Sequence, residues 1–75
     1  MIFNNKVAVV TGGAHGIGKA IAEKFIALGA KVAIIDIKDN PYFVGDLADK
    51  KVLEKFVAKV INDFGKVDFL INNAP

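Results

Sequence analysis

The sequence predicts an α/β fold built on a doubly wound parallel sheet, and three observations carry that prediction. A β-branched apolar run, Lys6-Val7-Ala8-Val9-Val10, enters a glycine-rich loop, Thr11 to Gly18, which opens a stretch of helical periodicity. Further apolar runs, Lys31 to Asp36 and Lys66 to Asn72, alternate with helix-period segments, as in βαβ units. The 53% hydrophobic content lies slightly above the average of roughly 45–50%, which suits a sheet covered on both faces.

Met1 to Asn5 is a short lead-in and Lys6 to Thr11 the first strand. In the helix that follows, Ile17, Ala20, Ile21, Phe25 and Leu28 form one stripe, opposite Lys19, Glu23 and Lys24, so one face is expected on the sheet. Gly29 ends this helix as a left-handed cap. Lys31 to Asp36 is the second strand, and strand, helix and strand make a right-handed unit. Only Ile37 to Pro41 then precedes Tyr42-Phe43-Val44, the predicted third strand, although parallel strands ordinarily need a crossover of about a dozen residues. Five extended residues reach about 17 Å, the length of one short strand, so the expectation is an extended return without a crossover helix. Pro41 disfavours helix at Asn40 and agrees with that path.

The strongest periodicity follows. Val52, Leu53, Phe56, Val57, Val60, Ile61 and Phe64 share one side, and Lys50, Lys51, Glu54, Lys55, Lys59 and Asp63 the other. Asp49 is the expected start of this helix and Gly65 its stop. Lys66 to Asn72 is the fourth strand. The spatial order is then 3-2-1-4, and it reverses between strands 1 and 4, where open α/β sheets bind ligands beyond the carboxyl ends of the strands. Gly12 to Gly18, Asp36, Asp46 and Asn73 all fall at those ends.

The loop has chemistry of its own. The first N–H groups of a helix lack internal partners and lie at the positive end of its dipole, so they receive a phosphate if nothing blocks the approach. Gly12 is expected to turn out of the strand at positive φ, Gly16 to let backbone approach a pyrophosphate, and Gly18 to let the helix lie close to its strand. The spacing is G-x-x-x-G-x-G, with His15 where G-x-G-x-x-G needs its middle glycine. Asp36, closing the second strand, is placed to accept hydrogen bonds from an adenosine ribose and to repel a 2′-phosphate.

Thr11 to Gly18 resembles the T-G-x-x-x-G-x-G cofactor loop of the short-chain dehydrogenase/reductase family, and Asn72-Asn73-Ala74 resembles its N-N-A-G motif, with Pro75 in place of the glycine. The resemblance implies a partial, Rossmann-like doubly wound parallel sheet in which the family's helix between strands 2 and 3 is absent. It also implies the NAD(H)-binding part of an enzyme that transfers hydride between nicotinamide and an alcohol or carbonyl. Carried over by position, Gly12, His15, Gly16, Ile17 and Gly18 belong to the cofactor loop, and Asp36 and Ile37 to the ribose end. Asp46 and Leu47 would meet adenine, and Asn73 and Ala74 would line the ribose and nicotinamide end, while Asn72 ties strands together. The family often has a basic residue at the His15 position in members that take NADP, but Asp36, with no basic group at Ile37, favours NAD.

The family's Ser and Tyr-x-x-x-Lys are not found: Tyr42 is the sole tyrosine, and Asp46 is the fourth residue after it. This chain is therefore expected to lack proton-transfer machinery and to be inactive alone. A rival reading starts at Gly13-Ala-His-Gly-Ile-Gly18-Lys19-Ala20, which fits the P-loop pattern except at Ala20, whose side chain has no hydroxyl for Mg²⁺. A third is a stand-alone nucleotide-binding or assembly module.

Length and charge exclude other classes. At 75 residues the chain is expected to form one small domain, residues 1–75, of marginal stability. The net charge of +2 comes from lysines dispersed among Asp and Glu, with no arginine, which is not a nucleic-acid footprint. No metal site is arguable from one histidine and no cysteine. No apolar run approaches the ~20 residues that span a bilayer, and no signal-peptide pattern opens the chain, so cytoplasmic is the default. Val67, Phe69, Leu70 and Ile71 read as a buried central strand. With nothing after Pro75 to pair with it, self-association through that strand is expected.

Overall fold

The computed structural model describes residues 2–73. Its order is β1 (Val7–Thr11), α1 (Gly16–Ala27), β2 (Lys31–Asp36), β3 (Phe43–Val44), α2 (Lys50–Phe64) and β4 (Phe69–Asn72). The strands form one sheet in the order β3-β2-β1-β4, parallel at every pairing. Side chains alternate across this sheet, so each face has its own core. Val10 and Ile34 pack with Ala22 of α1, and Val9, Ala33 and Ile35 pack with Phe56 and Val60 of α2. The helices therefore cover opposite faces, and the sheet is doubly wound. The predicted fold class is observed.

Both helix ends of α2 have a local cause. Asp49 accepts a hydrogen bond from the Lys51 N–H at 2.9 Å, and Gly65 stops the helix at φ 77°. Gly29, at φ 96°, follows the last residues of α1 in the same left-handed conformation.

Three expectations need correction. The buried stripe of α1 is Gly18 and Ala22, flanked by half-buried Ile21 and Phe25, whereas Ala20 is exposed and Ile17 is 74% exposed. Gly18 presses against the Gly12 carbonyl, and that approach rotates the helix so that the face through residue 18, not residue 17, meets the sheet. On α2 the stripe divides. Phe56 and Val60 are buried, but Leu53, Val57 and Ile61 are exposed, because α2 lies over β1 and β2 and leaves β4 uncovered on that face. Leu70 and Val67, whose pattern is that of a buried strand, are exposed, and β4 is the unpaired edge that was expected.

The third correction concerns the path between β2 and β3. The crossover helix is absent as expected, but the chain does not run the length of a strand. β3 pairs only with the last two residues of β2, Ile35 with Phe43 and Asp36 with Val44. The return is thus about one residue step of ~3.3 Å, and a turn suffices. Asn40 holds that turn from inside. Its Oδ1 accepts from the Tyr42 and Phe43 N–H groups, each at 2.9 Å, and its Nδ2 donates to the Lys38 and Phe43 carbonyls, each at 3.0 Å. Tyr42 then lies against both apolar clusters, stacks on Phe64, and donates its hydroxyl to Asp63 at 2.8 Å. Burial, reinforced by the Asp63 carboxylate, pushes the Tyr42 phenol well above its ordinary pKa, so it remains a donor.

Candidate functional site

A cleft of about 650 Å³ opens at the carboxyl ends of the strands, beside the switch point between β1 and β4. Gly12 and His15 bound it from the glycine loop, Asp36, Ile37 and Lys38 from the end of β2, Asp46, Leu47 and Ala48 from the segment before α2, and Asn72 from β4. Of the cofactor-binding residues expected from sequence, six meet at this one wall: Gly12, His15, Asp36, Ile37, Asp46 and Leu47.

Asp36 is the organising group. Its side chain is only 4% exposed, and its two oxygens are divided between partners. Oδ1 accepts from the Lys38 N–H at 2.9 Å. Oδ2 accepts from the Ala14 N–H at 3.0 Å and lies 3.3 Å from His15 Nδ1. These bonds tie the glycine loop to the end of β2. The Lys38 N–H first, then the Ala14 N–H and His15, hold the carboxyl below its ordinary range, although burial opposes them. Asp36 is therefore a carboxylate at neutral pH, with acceptor capacity still free for a ribose hydroxyl.

Gly12 and Gly18 take the positive φ and the close helix-to-strand approach that the spacing predicts. Gly12 leaves β1 at φ 67°, donating its N–H to the Ile35 carbonyl at 2.9 Å. Gly16 opens α1 at φ 59°, and a Cβ there would meet nothing within 4 Å, so the space before the helix is clear. A Cβ on Gly18 would collide with the Gly12 carbonyl and with Asn73 Nδ2. His15 occupies the N-cap position of α1 without capping it through its side chain, and no acidic residue stands in the first turn. This helix start can receive an anion.

Four expected residues lie off the cleft wall. Gly16, Ile17 and Gly18 shape the helix start beside it. Asn73 donates its side-chain N–H to the Gly12 carbonyl at 3.2 Å and its backbone N–H to Thr11 Oγ1 at 2.9 Å. Thr11 Oγ1 in turn donates to Asn72 Oδ1 at 3.1 Å, so the paired asparagines fasten β4 to β1. Ala74 and Pro75 lie outside the described residues. Lys38 also lines the wall, and Gly45 and Ala48 are wall residues that the sequence reasoning missed. Gly45 had a legible signal, since it separates a two-residue strand from an acidic turn, and a Cβ there would meet Val52 Cγ1 at 2.6 Å. Asp46 shapes that turn, accepting from the Ala48 N–H at 2.9 Å while it faces the cleft.

The pattern of the family described as short chain dehydrogenase matches residues 6–43, about half of the chain, from the start of β1 to β3. The chain belongs to the short-chain dehydrogenase family. Among curated members, the 15-hydroxyprostaglandin dehydrogenase [NAD(+)] of Mus musculus is 42% identical over 92 residues, covering 99% of this chain and 34% of the relative. The NAD-dependent glycerol dehydrogenase of Listeria innocua is 41% identical, covering 93% of this chain and 33% of its own length. A double variant of a Serratia marcescens short-chain dehydrogenase/reductase superposes with a TM-score of 0.87 at 34% identity, over 96% of this chain and 36% of that one. The chain thus spans about a third of the length of the relatives it matches. The 92 aligned residues also exceed the 75 of this chain, so the mouse relative carries at least 17 residues that this chain lacks within the matched stretch. Among the described residues, no helix is long and apolar enough to cross a membrane.

Proposed function

We propose that this chain is the NAD(H)-binding part of a short-chain dehydrogenase acting on an alcohol or carbonyl substrate. The observation that carries the reading is the position of Asp36, a buried carboxylate fastened to the glycine loop through the Ala14 N–H at the wall of the switch-point cleft. The clear space at Gly16 and the uncapped start of α1 fit a pyrophosphate, and Asp46 and Leu47 bound the cleft where an adenine would lie. The NAD dependence printed for two relatives, the mouse hydroxyprostaglandin enzyme and the Listeria glycerol enzyme, agrees with this cofactor.

The bound nicotinamide would supply hydride transfer. The residues of this chain bind and orient. The first N–H groups of α1 hold the pyrophosphate, Asp36 accepts from the ribose hydroxyls, and the Thr11, Asn72 and Asn73 bonds fix the end of β4 relative to the loop. Among the described residues, Tyr42 is not a proton donor for this site, because it is committed to Asp63 and absent from the cleft wall.

Calorimetric titration tests the reading. NAD⁺ is expected to bind at least about tenfold more tightly than NADP⁺ at pH 8, since a 2′-phosphate would face the Asp36 carboxylate. Asp36→Ala is expected to narrow that gap and also to weaken both affinities, because the Ala14 N–H loses its acceptor. Equal or reversed affinities in the wild type would contradict the assignment.

A further inference from the structure

A second cavity, a groove of about 450 Å³, runs between α2 and β4 on the face of the sheet that α2 covers. Val57 and Ile61 of α2 and Val67 and Leu70 at β4 line it and are between 47 and 67% exposed. Among the described residues no charged side chain lines the groove, although charged residues make up 24% of the chain. We infer that this groove is the contact surface of a two-fold dimer of this chain, in which α2 of one copy lies antiparallel against α2 of the other with the axis beside Val57.

Self-complementarity favours a second copy as the occupant. A two-fold contact brings the same patch of both molecules together, so the patch must fit itself. Val57 and Ile61 stand one turn apart along one side of α2, beside the seated Phe56 and Val60. Around an axis at Val57 the antiparallel stripes interdigitate, and each helix is laid over Leu70 of the other copy. The chain carries a net charge of +2, and like copies meet at this surface without opposing like charges. The area also suffices. The four exposed side chains leave an apolar patch on the order of 400 Å², a size that marks contact surfaces on soluble proteins. A standard interface takes about 800 Å² from each partner and is a little over half apolar, so the patch with its rim matches what a dimer needs. Pairing of β4 edges alone would not cover it. Because α2 lies over β1 and β2, two copies joined edge to edge would hold their α2 helices four strand spacings apart, roughly 19 Å, whereas packed helices approach to about 8–10 Å.

Sedimentation equilibrium of the full 75-residue chain, from about 1 to about 200 µM, tests this. The wild type is expected to dimerise with a dissociation constant below about 100 µM, and Val57→Lys to weaken the dimer at least about tenfold. Ile26→Lys is the control, since Ile26 is 56% exposed on α1, across the sheet, and its dimer should stay within about twofold of wild type. Circular dichroism of each variant separates lost contact from lost folding. The chain has no cysteine, so a single introduced thiol gives a second readout that needs no loss of stability. Under mild oxidation Val57→Cys is expected to form a disulfide-linked dimer, because residues at the crossing of the two helices come within reach of a disulfide, whereas Ile26→Cys is expected to remain unlinked. Three results would each overturn the inference: a wild type still monomeric at 200 µM, a dimer that Val57→Lys leaves within about twofold of wild type, as edge pairing of β4 would, or Ile26→Cys linking as readily as Val57→Cys.

Discussion

Phe56→Ala is expected to remove a large share of the protein's stability. Phe56 is 3% exposed, and its ring meets Phe43 edge-on at a centroid distance of 5.4 Å and Tyr42 at 6.2 Å. It joins α2 to the Val9, Ala33 and Ile35 face of the sheet and to the short crossing that ends in β3. Truncating a buried phenylalanine costs about 3–5 kcal/mol, against a total that for 75 residues is roughly 4–11 kcal/mol. The thermal midpoint followed by circular dichroism should fall by at least about 12 °C. Leu53→Ala on the same helix is the control, because Leu53 is 39% exposed and its loss should cost under about 1 kcal/mol. A fall for Phe56→Ala no larger than the control's would mean that α2 is not seated as described.

Gly18→Val is expected to damage stability and binding together. The new Cβ would run into the Gly12 carbonyl, which is backbone and has no alternative rotamer, and into the Asn73 amide beside it. Overpacking of this kind costs about 1–3 kcal/mol. Relief requires α1 to move away from β1, which displaces the phosphate-receiving end of the helix, so NAD⁺ affinity should fall about 100-fold or more. Binding within about threefold of wild type would show that the close approach of loop and helix is not needed for the site.

Much of this architecture was legible because its causes are local. The apolar runs, the Asp49 cap, the left-handed stop at Gly65 and the positive φ of Gly12 follow from residues within a few positions of one another. Parallel order 3-2-1-4 followed from the alternation of strands and helices. What was not legible depends on register and docking. The turn from β2 to β3 is short because β3 engages only the last two residues of β2, and no local pattern reports that offset. The buried face of α1 was misread by one residue because contact between Gly18 and Gly12, not hydrophobicity, sets its rotation. The broad apolar stripe of α2 gave no sign that Leu53, Val57 and Ile61 would remain exposed beside the β4 edge.

The same division holds at the site. Glycine spacing and a carboxylate closing the second strand were visible as types of residue at expected places. That Asp36 also fastens the loop through Ala14, and shares an oxygen with His15, required the loop and the strand end to be seen together.

The central claim, that dinucleotide binds at the switch-point cleft, is tested most directly by amide nuclear magnetic resonance of the isotopically labelled protein during titration with NAD⁺. Saturable shifts are expected at Gly12 to Gly18, at Asp36 to Lys38 and at Gly45 to Ala48, with the outer face of α2, Lys51, Lys55 and Ala58, unchanged. No saturable shift at millimolar NAD⁺, or shifts confined to α2 and the β4 edge, would contradict it.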